Sequence, residues 1–187
     1  MFPLNTTQDE LRAQIGAMSD AEFARFMYCQ HILATYMAIA QFEDQLVAAM
    51  LMCDRVKVRD ALGPDAERWE RLLARQHMLR SSTLGSLIRI LERHAIPAED
   101  IGYLKWLQTK RDYFIHRLFH DGAWPGDLHP HDARFMTRRL IAIQHWLDRG
   151  KRRIWFIFKR ANLLHVKDLG AAGLLAMNPN LFEDDGI

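Results

Sequence analysis

Apolar residues recur at helical spacing along most of the chain, and no stretch alternates apolar and polar positions as a half-buried strand would. The pattern predicts helices over about residues 8–17, 20–55, 65–79, 83–95, 98–120 and 131–162. The second of these is apolar nearly all round in its middle, which predicts a long central helix near the N-terminus. Helices with short connections predict an all-α bundle of five or six helices.

Two capping-box spacings mark where the first two helices begin. Glu10 lies three residues after Thr7, and Glu22 lies three residues after Ser19. In a capping box the two side chains satisfy N–H groups that the first helical turn leaves free. We therefore expect one helix to start directly after Thr7 and the long helix to start directly after Ser19.

Glycine and proline residues indicate where helices of the remaining chain end or bend. Gly63-Pro64 breaks the chain after the long helix, and Gly150 indicates a kink or a break inside the last one. A chain of 187 residues fits a single domain. We expect its bundle core over about residues 20–162, followed by a loosely ordered tail with an acidic end over about residues 165–187.

Composition indicates a globular chain, with 49% hydrophobic and 26% charged residues. The longest apolar stretch, "ILATYMAIAQF", is too short to span a bilayer, and the N-terminus turns polar too early for a signal peptide. Cys29 and Cys53 lie in apolar helical runs without a CxxC partner. We therefore expect buried free thiols, a cytoplasmic location and no membrane partner. On the long helix we expect Tyr28, Tyr36 and Met37 in the core.

The stretch "KRDYFIHRLFHDG", residues 110–122, places Arg111, Asp112 and His116 in an otherwise apolar segment. At about 100° per residue, Asp112 and His116 share a helix face, which would let the carboxylate orient the imidazole. Arg111 lies about 140° away from His116, so a site containing both is better completed by a second copy across a two-fold axis. The alternative is an ordinary helix surface with an intrahelical Asp–His contact and a histidine at the rim.

The stretch "KRDYFIHRLF" resembles the signature of HEPN domains, which are helical bundles. In that signature an arginine and a polar residue precede a histidine that lies four to six residues after the arginine. The stretch "STLGSLIRIL", residues 82–91, resembles the Thr-Leu-Gly helix start that often precedes the motif in related bacterial proteins. The long helix with Glu43 in "QFEDQLVAAML" resembles their first core helix. The resemblance covers about residues 20–145 and implies a HEPN-like bundle.

The resemblance implies an RNA-directed function, because many HEPN domains are metal-independent endoribonucleases that act as homodimers with their two motifs facing each other. His116 would then act as general base or acid on the RNA 2′-hydroxyl, Arg111 would stabilise charge on the phosphate, and Asp112 would orient the histidine. Histidine titrates near neutrality, and a guanidinium matches phosphate geometry, so the chemistry is consistent. No cofactor is implied. Asp112 stands where asparagine is commonest in the signature.

The resemblance also leaves a choice between two functional classes. One is a toxin-like or RNA-processing nuclease, which could be controlled by an antitoxin or another partner protein. The other is a non-catalytic helical interaction module that uses the same dimer face to bind a partner protein or a nucleotide, since many HEPN-like proteins serve as binding or assembly modules.

A metal site is the less favoured alternative for the same segment. His116 and His120 are spaced as two ligands on one helix face, and zinc would need at least one more ligand. The adjoining loop offers further candidates, namely Asp121, His129, His131 and Asp132. No glutamate follows His116, so the segment does not carry the zinc-protease pattern, and we favour a site without metal over this alternative.

A basic run, "RGKRRIWFIFKR" at residues 149–160, interleaves cations with aromatic residues. The formal net charge of the chain is only +2, so any contact with nucleic acid needs such local clustering. If Trp155, Phe156 and Phe158 are exposed, the run could follow a single strand by phosphate contact and base stacking. The alternative is that the rings are core and the charges are solvated. The candidate RNA-binding residues are Arg152, Arg153, Lys159 and Arg160.

Overall fold

The structure is a computed structural model that describes residues 7–58, 66–94 and 96–163. Within these residues the chain forms only helices, which confirms the predicted all-α bundle. The helices are α1 (Gln8–Gly16), α2 (Asp20–Val58), α3 (Ala66–Arg80), α4 (Leu84–Leu91), α5 (Ala98–Asp112), a π-helical turn (Tyr113–Arg117) and α6 (Pro130–Arg160). Gly63-Pro64, the tail over about residues 165–187 and the side chain of Cys53 lie outside the described residues.

Both predicted capping boxes are confirmed. The Thr7 hydroxyl accepts a hydrogen bond from the Glu10 amide, and the Glu10 carboxylate accepts one from the Thr7 amide at 2.8 Å. Ser19 and Glu22 repeat the arrangement, with a Ser19 amide to Glu22 carboxylate distance of 2.8 Å. The hydrogen bonds from Ser19 lower the pKa of Glu22 below its ordinary value. These local contacts explain why α1 and α2 begin where they do.

Helices α2 and α6 form the main packing pair and run parallel to each other. Near their N-terminal ends Arg134 forms an ion pair with Asp20, and further along Lys151 donates a hydrogen bond to Gln41 at 2.9 Å. Helix α5 runs the opposite way against both of them, because its first turn meets the C-terminal end of α6 and its last turn meets the middle of α2. The core therefore lies where α2, α5 and α6 converge.

Gly150 on α6 lies against side chains of both α2 and α5. It is buried, and a Cβ atom placed on it would lie 2.6 Å from Leu107 Cδ1 and 3.0 Å from Phe42 Cε2. Helix α6 continues through this position without a break, contrary to one of the two predicted outcomes. The glycine is therefore explained by packing, because only a residue without a side chain admits Leu107 and Phe42 so close to the α6 backbone.

Two predicted helices end earlier in the structure than the pattern indicated. The fourth was expected to reach about residue 95 but stops at Leu91. The fifth was expected to reach about residue 120, whereas α5 stops at Asp112 and continues as the π turn. In this turn the Leu118 amide donates to the Tyr113 carbonyl at 3.0 Å, one residue further than in an α-helix. Apolar spacing does not reveal such a change of hydrogen-bond register.

Four of the α2 side chains that we expected in the core are described, and three of them are exposed. Tyr28 is buried as predicted, donates a hydrogen bond to the Ala123 carbonyl at 2.8 Å, and has its pKa raised to about 12 by burial. Tyr36 and Met37 are instead 58% and 50% exposed, and Cys29 is exposed rather than buried. Helical spacing could not predict this difference, because the burial of each face of α2 depends on which other part of the chain packs against it.

Among the helices of the described ranges, none combines the length and the apolar composition that crossing a membrane requires.

We expect Gly150→Ala to destabilise the protein. Overpacking a filled core costs about 1–3 kcal/mol, and the roughly 1 kcal/mol that alanine gains in a helix offsets only part of this. Gly102→Ala is the matched control, because Gly102 is exposed on α5 and a Cβ there meets nothing within 4 Å. It should stabilise the protein by about 0.5–1 kcal/mol. Urea unfolding followed by circular dichroism measures both, and equal stabilisation by both variants would contradict the packing role of Gly150.

Candidate functional site

The π turn presents the histidine of the motif. It buries Phe114 and directs Ile115, His116 and Arg117 to the surface. Phe114 is 5% exposed and anchors the turn in the core. π-helical turns inside helical segments occur frequently at functional sites, because the extra residue changes the direction of the side chains that follow. His116 therefore lies on a surface turn that the buried Phe114 ring fixes to the core.

Arg111 lies one residue before the end of α5 and is held by two carboxylates. Its Nε donates to Glu43 Oε1 at 3.1 Å, and its Nη1 donates to Asp112 Oδ1 at 3.0 Å. The Arg111 side chain is 20% exposed, so these charge-assisted hydrogen bonds are partly shielded from water. They fix the guanidinium against α2 and balance its charge.

The predicted contact in which the Asp112 carboxylate orients the His116 imidazole does not form. Asp112 accepts from Arg111 on one oxygen and from Gln108 Nε2 on the other, the latter at 3.4 Å. His116 is exposed and has neither a hydrogen bond nor an ion pair with any described residue. The structure thus brings Arg111 and Asp112 together, adds Glu43 to them, and leaves His116 apart in solvent.

Glu43 and Gln108 are the two members of this cluster that sequence reasoning did not assign to it. Gln108 precedes Asp112 by one helical turn, and this spacing on one helix face predicts their contact. The pairing of Glu43 with Arg111 joins residues 68 positions apart. No spacing along one helix could indicate it, because it depends on how α2 and α5 cross.

An apolar groove of about 390 Å³ opens beside the π turn, between that turn and α2. Its lining is almost entirely apolar: Cys29, Ile32, Leu33, Tyr36, Phe114, Ile115 and Phe119. Leu33 is 59% exposed and Ile115, the neighbour of His116, is 38% exposed. Exposed apolar surface that forms a contiguous concave patch often marks an interaction site.

The residues proposed as metal ligands do not converge. Within the described part of the chain, no three His, Cys, Asp or Glu side chains are grouped so that they could hold a metal ion. His129 instead caps α6, where its Nδ1 accepts from the His131 amide at 3.3 Å. His120 is exposed in the loop that follows the π turn. The spacing of His116 and His120 therefore has no third ligand among the described residues.

Two of the four candidate RNA-binding cations are used to hold a buried carboxylate. Asp100, in the first turn of α5, is fully buried. Arg160 forms an ion pair with it, and Arg153 lies 3.4 Å from its Oδ1. Arg160 also pairs with Glu99 at 3.0 Å. Because a buried charge is costly unless it is paired, these contacts tie the start of α5 to the end of α6.

Of the other cations in the basic run, two contact Asp148 and Lys159 faces solvent. Arg152 donates to Asp148 at 3.2 Å, and Lys151 pairs with the same carboxylate at 3.0 Å. The hydrogen bond from Lys151 is the main reason that the pKa of Asp148 lies below its ordinary value. Lys159 is exposed and has no ion pair with a described residue.

The aromatic residues of the run are divided between core and surface. Trp155 and Phe158 are buried at 4% and 1% exposure, whereas Phe156 is 45% exposed. The alternative in which the rings belong to the core therefore holds for two of the three, and a continuous stacking surface along these residues does not form. The sequence pattern did not single out Asp100, the buried partner of this run. An acidic residue in the first turn of a helix is ordinary, and only its burial distinguishes Asp100 from others.

Comparison of the chain with protein-family models, with curated proteins and with solved structures found no match. The HEPN resemblance therefore depends on the motif residues themselves.

We expect the double variant Arg153→Ala/Arg160→Ala to lose stability, because it leaves the Asp100 carboxylate buried without a partner. Removing the partners of a buried charge costs about 3–5 kcal/mol, and the partial exposure of both arginines reduces the expected loss to about 2–3 kcal/mol. Adding Asp100→Asn should recover part of it. The free energy of unfolding in urea measures this, and an unchanged value in the double variant would show that the two arginines are dispensable for folding.

Proposed function

We propose that the protein binds RNA and cleaves it without a metal ion, at a site completed across a homodimer. The observation that carries the proposal is the π turn, which holds His116 in solvent directly after the Arg111 cluster and beside an uncovered apolar groove. The HEPN-like motif supports the same function. A toxin-like or RNA-processing role in the cytoplasm, with an antitoxin or another protein partner, belongs to this proposal and rests on the resemblance alone.

The chemistry needs a base, an acid and a group that stabilises negative charge. His116 of one protomer takes the proton of the RNA 2′-hydroxyl, whose oxygen attacks the neighbouring phosphorus. The bond from phosphorus to the 5′-oxygen breaks, and a second imidazole donates a proton to that oxygen. Because His116 is exposed and free of hydrogen bonds to described residues, its ring nitrogens are available for both roles. A two-fold axis supplies the second histidine.

Arg111 would stabilise the charge that develops on the phosphate. A guanidinium has five N–H donors, and the contacts with Glu43 and Asp112 use one on Nε and one on Nη1. The Nη2 group keeps two donors that can face a phosphate oxygen. In this role Glu43 and Asp112 position the guanidinium, and Asp112 does not orient His116.

A second candidate function is favoured by the same cluster. Two carboxylates beside Arg111 balance its charge and would weaken its attraction for a phosphate, which suits a non-catalytic interaction module better than a nuclease. In that case the motif stabilises the crossing of α2 and α5, and the apolar groove binds a partner protein. The two candidates differ in whether RNA is cleaved.

The groove supports homodimer formation in either case. Leu33, Tyr36 and Ile115 present exposed apolar surface on both sides of it, and His116 adjoins Ile115 in sequence. Burying this surface against a second copy would remove apolar area from water and bring the two π turns together.

We expect the wild-type protein to cleave single-stranded RNA in the presence of EDTA. His116→Ala should lower the cleavage rate by about 10²–10⁴-fold, which is the usual contribution of general acid–base catalysis. His145→Ala is the matched control, because His145 is also exposed but lies on α6. It should leave the rate unchanged. Gel analysis of the products measures both, and no cleavage by the wild type under any condition would favour the interaction module.

We also expect Leu33→Glu to convert a dimer into a monomer, because two glutamates would be forced into an apolar contact. The control is Phe135→Glu, since Phe135 on α6 is exposed to the same 59% as Leu33. Sedimentation velocity measures the oligomeric state, and the cleavage rate should fall only in the Leu33 variant. A wild-type protein that is monomeric at all concentrations would refute the dimeric site.

A further inference from the structure

Aromatic rings and cations alternate where α5 packs against α6. The Lys110 ammonium lies 5.3 Å from the ring centroids of both Trp106 and Trp146, and the Arg139 guanidinium lies 4.0 Å from the centroid of Tyr113. Trp106 and Trp146 meet edge to face at 5.1 Å. We call this surface, together with the neighbouring Arg149, the α5–α6 seam.

In the described part of the chain, Asp121 acts electrostatically on Tyr113 at one end of the seam, but it forms no ion pair with the seam cations. Lys110, Arg139 and Arg149 have no ion pair with a carboxylate among the described residues. Cation–π contacts hold Lys110 and Arg139 in place but leave their charge uncancelled, and Arg149 acts electrostatically on Tyr103. At the next position along the seam, Arg153 lies 4.4 Å from the Tyr103 centroid and is already shared with buried Asp100. The uncompensated charge is therefore concentrated at Lys110, Arg139 and Arg149.

The seam is distinct from the cluster around Arg111. Lys110 and Asp112 are two residues apart, so their side chains leave nearly opposite sides of α5, about 160° apart. Lys110 turns towards α6, whereas Arg111 is held by Glu43 on α2. The seam nevertheless reaches the π turn, because Tyr113 is the first residue of that turn. From Trp106 to Tyr113 it extends about 10 Å along the helix axis.

We propose that the α5–α6 seam binds single-stranded RNA, with Lys110, Arg139 and Arg149 contacting phosphates and Trp106 stacking on a base. The inference rests on the proposed RNA-directed function for the choice of ligand. Trp106 is 37% exposed, so part of its ring is open to solvent. Single-stranded nucleic acid offers unstacked bases for rings and phosphates for cations at the same time, which neither a membrane surface nor an acidic peptide does.

The first test changes charge without changing the rings. Lys110→Gln/Arg139→Gln is made in full-length His116→Ala protein, so that a fluorescently labelled single-stranded RNA stays intact during anisotropy titration. Each lost phosphate contact lowers the slope of log affinity against log salt by about 0.7, so the double variant should lose about 1.4. The matched control is Arg89→Gln/Arg93→Gln, which removes the same charge from exposed positions on the α4 side. Its slope should not change.

The second test changes stacking without changing charge. Trp106→Leu should weaken RNA binding about tenfold, whereas Trp106→Phe keeps a stacking ring and should keep most of the affinity. Circular dichroism and urea unfolding check that both variants fold. Equal affinity of the leucine and phenylalanine variants, both below the wild type, would overturn the stacking role, because Trp106 would then act only by packing against Trp146.

Three other results would overturn the inference: no RNA binding by the His116→Ala protein, equal losses in the seam and control pairs, or tighter binding to vesicles of anionic phospholipid than to RNA. The nuclease proposal is judged separately. If the wild type cleaves RNA and the seam variants cleave with unchanged KM, the seam inference fails while the nuclease stands. If the seam binds RNA that the wild type never cleaves, the nuclease fails while the seam stands.

Discussion

The close approach of three helices at Gly150 determines where the candidate site can form. Leu107 and Phe42 occupy the space that a side chain at position 150 would need, so α5 is drawn against both α2 and α6. Arg111 lies one helical turn beyond Leu107, and Glu43 directly follows Phe42 in the chain. The same contact that packs the core therefore brings the guanidinium and the carboxylate within 3.1 Å of each other. A different separation of the helices would leave both charges without this partner.

The cations around α5 meet two kinds of neighbour, and Arg153 meets both. Arg153 and Arg160 meet the buried Asp100, and Arg111 meets Glu43 and Asp112, so these cations serve to neutralise acids at helix crossings. Cations of the α5–α6 seam face aromatic rings and solvent instead. The net charge of +2 conceals this arrangement, because it sums over charges with opposite structural roles.

The motif located the candidate site in the chain, but helical spacing described its geometry only in part. Spacing placed Asp112 and His116 on one face of a continuous α-helix, whereas the helix changes to a π turn at Tyr113. Asp112 also had closer donors, Arg111 beside it and Gln108 one turn before it. Helical spacing was also insufficient for the basic run. Two of its arginines, Arg153 and Arg160, pair with Asp100, and that carboxylate is buried on a different helix, α5.

What the amino-acid sequence determined by itself is local. Apolar periodicity established the all-α class, and the Thr7 and Ser19 capping boxes established where α1 and α2 begin, because these signals act within one helical turn. Tertiary structure alone decided that Tyr36 is exposed although Tyr28, on the same helix, is buried, and that Arg111 meets Glu43. The physical reason is that helical periodicity specifies which residues share a face, whereas the burial of that face depends on which distant helix packs against it.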